Sequence, residues 1–156
     1  MTRSRPSEDG FTLIEIMIVV LIIAVLVSIA MPSYQGFRIS AQNRAAEGSL
    51  RTAELTARGI LLDETAVPAT ADMLAELAGD EGSIAWVDGA TSSTEAGEVS
   101  IQTTAANTEL AMAAMSGSGR CYYMRLEVVG PTLRKAVEGA ASCRAQDYLT
   151  GADEGW

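Results

Sequence analysis

The chain has 156 residues, 48% of them hydrophobic, with a formal net charge of -9 and an isoelectric point near 4.4. That length suits one domain with one core. An acidic chain whose largest cationic cluster is Arg134-Lys135 disfavours phosphate-backbone binding, so no specific nucleic-acid partner is expected. The absence of histidine removes the commonest general base and most zinc sites.

The chain opens with Arg3 and Arg5, then Glu8-Asp9, then Gly10-Phe11-Thr12-Leu13-Ile14-Glu15, which begins an apolar run ending at Met31. Of the 21 residues from Phe11 to Met31, only Thr12, Glu15 and Ser28 are not apolar. As a helix the run spans about 31 Å, close to a bilayer's hydrocarbon thickness of about 30 Å. Its Ile and Val content makes it a poor isolated helix in water, so it needs lipid or other copies of itself.

Glu15 is out of place there. A carboxylate near the hydrocarbon layer costs on the order of a few kcal/mol and calls for a cation at the same depth. A cut between Gly10 and Phe11 would create an α-amine one helical turn from Glu15. In a stack of such helices, one copy's amine could neutralise the next copy's Glu15. Two plainer readings compete. An ordinary secretory signal fits Arg3, Arg5 and Ser28-Ile29-Ala30, but not the long apolar run, Glu15 or Glu8-Asp9. A plain membrane anchor explains the length and leaves the Gly-Phe junction unexplained. Basic residues flank the run on both sides (Arg3 and Arg5, then Arg38 and Arg44), so charge does not set its orientation.

Pro32 removes one helix hydrogen bond and is expected to kink the rod. Beyond it the pattern reads as continued helix to about Leu62. Arg44, Glu47, Arg51, Glu54 and Arg58 alternate in sign, with Glu47–Arg51 and Glu54–Arg58 in the favourable i,i+4 orientation. Leu50, Ala53, Ala57 and Ile60 form an apolar stripe at the same spacing. The charges read as a solvated face or, more sharply, as pairs between neighbouring subunits.

The hexapeptide, the apolar run, Ala30-Met31-Pro32-Ser33-Tyr34, Ala41-Gln42 and the amphipathic stretch beyond resemble the type IV prepilin family. The resemblance is strong over residues 1–62 and holds only in outline afterwards. It implies cleavage after Gly10 by a prepilin peptidase, N-methylation of Phe11, and a role for Glu15 in subunit registration. It also implies a proline at the position of Pro32 near which the helix can unwind in filaments, and an N-terminus on the cytoplasmic side. Cys121 and Cys143 would meet oxidising conditions in an exported chain, where an even pair usually bridges, and pilins often carry one C-terminal disulfide.

From Asp63 to Gly82 the pattern breaks around Pro68, with room for one short helix from Asp72 to Ala78 stopped by Gly79. Asp63-Glu64 and Asp80-Glu81 lack the spacing of a calcium loop, so no metal site is expected. Short strands follow at Ile84–Val87 and Glu98–Thr103. Glu109–Met115 is Ala- and Met-rich, so helix and strand compete there. Ser116-Gly117-Ser118-Gly119 favours a hairpin into Arg120–Val129, with Tyr122, Met124 and Leu126 on one face and Tyr123 and Arg125 on the other. Gly130-Pro131 ends that strand, and Thr132–Trp156 reads as irregular. No Gly-x-Ser-x-Gly elbow or phosphate-cradling loop occurs, so neither an enzyme nor a cofactor is expected.

These readings combine into an α+β pilin fold, a long N-terminal helix packed on a small antiparallel sheet head. Residues 1–10 are the leader, 11–31 the transmembrane and assembly helix, 32–62 its amphipathic continuation, 63–83 a variable loop, and 84–156 the head. The expected function is a structural subunit of a type IV pilus. Its expected partners are copies of itself, the prepilin peptidase, the inner-membrane assembly machinery and, before assembly, membrane lipid. It would sit in the cytoplasmic membrane as a single-pass protein before assembly and in an extracellular pilus after it. A type II secretion pseudopilin and a monomeric membrane-anchored binding domain are the alternatives.

Overall fold

The computed structural model describes residues 10–62, 64, 66–128 and 130–149. Arg3, Arg5, Glu8, Asp9, Asp63, Val129 and the stretch 150–156 lie outside the described residues. The chain divides into two compact units, one up to Arg38 and one from Ile39 on.

Helix α1 spans Leu13–Leu61. In the first unit every described residue is exposed, including the Ile, Leu, Val and Met side chains of the apolar run. The helix is long and apolar enough to cross a membrane. It continues through Pro32 without a break, so the proline costs a hydrogen bond but does not end the helix.

In the second unit α1 buries Ala46, Leu50, Ala53, Ala57 and Leu61, one stripe at spacings of three and four. Ile60 is half-buried at the edge of the same core. Helix α2, Thr70–Asp80, adds Met73 and Leu77 to that core. It is longer than the expected Asp72–Ala78 and passes through Gly79. A glycine at a solvent-facing helical position costs about 1 kcal/mol against alanine, too little to stop a helix whose other face is buried. The Glu81 N–H closes the helix by donating to the Leu77 carbonyl at 2.9 Å.

Five strands follow: β1 (Ala85–Asp88), β2 (Glu98–Thr103), β3 (Glu109–Met115), β4 (Cys121–Glu127) and β5 (Leu133–Val137). They are ordered β1-β2-β3-β4-β5 in a single sheet. The sheet is not purely antiparallel, because β1 pairs with β2 in parallel, Trp86 opposite Val99. The connection between these two strands is mostly exposed and does not turn back as a hairpin. Its Ser93 is fully buried; the hydroxyl donates to the Glu98 carbonyl at 2.7 Å and accepts the Met115 N–H at 2.9 Å.

Strand β3 resolves the competition at Glu109–Met115. Leu110, Met112 and Ala114 face the core under α1, while Ala111 and Ala113 face a second cluster with Tyr123 and Tyr148. Burial on both faces overrides the helix preference of alanine. The hairpin closes with Met115 opposite Cys121, and Gly119 takes the positive φ of 84° that the turn requires. Strand β4 points Tyr122, Met124 and Leu126 into the α1 core and Tyr123 into the second cluster.

The expected irregular tail is instead partly ordered. β5 pairs antiparallel with β4, and residues Ala145–Tyr148 form a 3-10 helix. All five residues of β5 are half-buried, so the strand has no alternation for a sequence reading to find. Glu54 of α1 holds the strand in place. Its carboxylate pairs with Arg58 at 3.2 Å and Arg134 at 3.0 Å, and accepts from the Thr132 hydroxyl. Burial alone would raise the Glu54 carboxyl, but the hydrogen bonds from Thr132, Arg58 and Arg134 outweigh it and lower its pKa.

Candidate processing and assembly segment

Gly10 and Phe11 precede the helix and are exposed, Phe11 at 79%. A peptide bond in that position is open to a protease. Thr12 is the helix cap. The Glu15 N–H donates to the Thr12 hydroxyl at 3.3 Å, and the Thr12 N–H donates back to the Glu15 carboxylate at 3.4 Å. These bonds are long, yet together they form a reciprocal capping box, in which the Glu15 N–H also donates to the Thr12 carbonyl at 3.1 Å. The Thr12 hydroxyl also lies 3.4 Å from the same carboxylate oxygen. The negative charge faces the positive end of the helix dipole.

The role of Thr12 was legible as Thr-x-x-Glu ahead of an apolar run, a capping signature that the search for a charge partner passes over. It gives Glu15 a partner within its own helix while the chain is uncut. A new amine on Phe11 would then be one residue from this cap.

Below the cap, Ile16, Met17, Val20, Leu21 and Ala24 line a shallow apolar groove along one side of the helix. The Ser28 hydroxyl donates to the Val25 carbonyl at 2.7 Å, a bond within the helix that would satisfy it in lipid. The segment is thus uniformly apolar on its outside, with one carboxylate drawn back onto the helix end.

Away from this segment, Cys121 and Cys143 form a disulfide with Cα atoms 5.5 Å apart, buried in the second cluster. It fastens the chain after β5 onto β4. Among the described residues no group of histidine, cysteine or acidic side chains is arranged to hold a metal ion. Burial raises the pKa of Tyr122 and of Tyr123, the latter with help from the Asp147 charge, so both phenols stay neutral over the ordinary pH range.

Residues 5–31 match the prokaryotic N-terminal methylation motif, the class III signal of type IV pilins and pseudopilins. No curated protein and no solved structure matches the chain. The membrane-length helix and the α+β head give the chain a pilin-like fold. The matched segment is the kind of signal that type IV pilins and pseudopilins carry.

Proposed function

We propose that this chain is a structural subunit of a type IV pilus, cut between Gly10 and Phe11 by a prepilin peptidase, methylated at Phe11, and polymerised through its apolar helix. The observation that carries the reading is the methylation motif opening a helix whose apolar side chains up to Arg38 are all exposed. A surface of that kind is stable in lipid or against copies of itself. Moving from one to the other exposes no apolar area to water, so extraction is near balance and an assembly machine supplies direction.

In this reading Glu15 exchanges its cap for the Phe11 amine of a neighbouring copy, which sets the register between subunits. The N-terminus lies on the cytoplasmic side before assembly. The bridge from Cys121 to Cys143 favours a pilus subunit over a pseudopilin. A bound calcium ion in the C-terminal region would favour the pseudopilin instead.

The test is the N-terminal peptide mass of protein sheared from the cell surface. A peptide beginning at methylated Phe11 supports the proposal. One beginning at Met1 or Met31 means a plain anchor or a secreted protein and sinks it.

A further inference from the structure

In the second unit, the side of α1 opposite its buried stripe has no partner within the chain. At 100° per residue, Arg44, Gly48, Arg51, Leu55, Gly59 and Leu62 fall within an arc of about 80°. All six are exposed, Leu55 at 72% and Leu62 at 83%. A Cβ added at Gly48 or Gly59 would meet nothing within 4 Å, so packing inside the chain does not require glycine there. Each glycine nonetheless costs the helix about 1 kcal/mol relative to alanine. Small residues beside large apolar ones suit close approach by another backbone. Arg44 and Arg51 make no ion pair among the described residues, and the Glu47–Arg51 pair expected from spacing is not closed.

A complementary surface lies on the same unit. Between the end of α1 and α2 runs an open groove of about 490 Å³, walled by Gly59, Glu64, Ala75, Glu76, Gly79 and Asp80. Three carboxylates line it with no cation among the lining residues, and the rest of the wall is Ile60 with the small residues Gly59, Ala75 and Gly79. The cationic face and the acidic groove share Gly59, but their charges are on different residues, Arg44 and Arg51 against Glu64, Glu76 and Asp80, so one copy's arginines meet another copy's groove head to tail. Contacts of this kind join unlike surfaces, and where the rotation does not close a ring they propagate into helical polymers.

We infer that the Arg44–Arg51 face of α1 in one copy docks into the α1–α2 groove of a second copy, placing its arginines against Glu64, Glu76 and Asp80. This rests on the filament reading above and adds which surfaces of the heads meet. The groove lies level with Gly59 and Ile60, and the arginines are centred about 12 residues earlier on the same helix. The contacting copies are therefore offset by about 18 Å along the helix axis.

The disulfide leaves no free thiol among the described residues, so single introduced cysteines report contacts cleanly. Full-length Arg51→Cys and a tagged full-length Glu76→Cys are co-expressed, and sheared filaments are treated with a mild oxidant. The expected result is a covalent heterodimer that neither copy forms alone. Mixed filaments lacking that heterodimer, or Arg51→Cys linking to a different protein, overturn the inference. Independently, Arg44→Glu/Arg51→Glu should leave about tenfold less surface filament, and adding Glu76→Arg/Asp80→Arg should restore it. Unrestored assembly from copies that fold normally also overturns it. If the unmodified chain forms no polymer at all, the filament reading itself fails, which is seen before any cysteine is introduced.

Discussion

Removing the disulfide with Cys121→Ala/Cys143→Ala tests how the C-terminal part of the head is held. The bridge spans a sequence separation of 22. In the chain-entropy description, closing a loop of that size removes about 11 cal/mol/K from the unfolded chain, or about 3.4 kcal/mol at 25 °C. Alanine is the better replacement because both sulfurs are buried, and a serine hydroxyl there would add its own desolvation cost of about 1–3 kcal/mol. Other ties would remain. The Ser93 N–H donates to the Cys143 carbonyl at 2.9 Å, the Cys143 N–H donates to the Ser92 hydroxyl at 2.8 Å, and the Ala145 N–H donates to the Ser100 hydroxyl at 3.1 Å. Tyr148 rests on Tyr123 with ring centroids 5.4 Å apart, and the Arg125 guanidinium lies 5.6 Å from the Tyr148 ring. The fold therefore survives with its midpoint lowered by roughly 14 °C, given about 4 °C per kcal/mol for a head of this size. Near-UV circular dichroism of the full chain in detergent measures the shift, and limited proteolysis shows whether new cuts fall between Gly130 and Arg144. A midpoint lowered by less than about 4 °C would refute the entropy argument and assign the stability to the hydrogen bonds and rings.

Three further predictions follow from the same geometry. Glu15→Gln keeps a capping partner for Thr12 but removes the charge; cleavage should persist while filament yield falls sharply, and normal filaments from it would remove the charge-pairing account of assembly. The Glu54 carboxyl is held below its ordinary value of 4.5, so its contribution is present above that pH and lost as pH falls through the folded value. Between pH 5 and 3, denaturation midpoints should fall more steeply for the natural chain than for Glu54→Gln; parallel slopes would contradict the role given to Glu54. Gly89→Ala would bring a Cβ against the Gln102 side chain and within 2.8 Å of the Ile101 carbonyl. It should destabilise the head by about 1–3 kcal/mol, read by urea titration.

The sequence by itself determined the segment on which the proposed function rests. Gly10-Phe11 and Glu15 stand out because an apolar run of membrane length tolerates no chance charge, and the apolar stripe of α1 from Leu50 to Ala57 was legible because helical period is a local property. The alternation of Tyr122, Met124 and Leu126 against Tyr123 was likewise readable, since strand period is local too. Only the tertiary structure decided the rest. Glu109–Met115 became a strand because both its faces are covered, which no local propensity encodes. The parallel pairing of β1 with β2 depends on a connection whose one buried serine, Ser93, bonds residues far along the chain. β5 was invisible because its position rests on Arg134 and Thr132 meeting Glu54, about 80 residues earlier. Periodicity records which face of an element is buried, whereas the partner that buries it is set by contacts between distant residues.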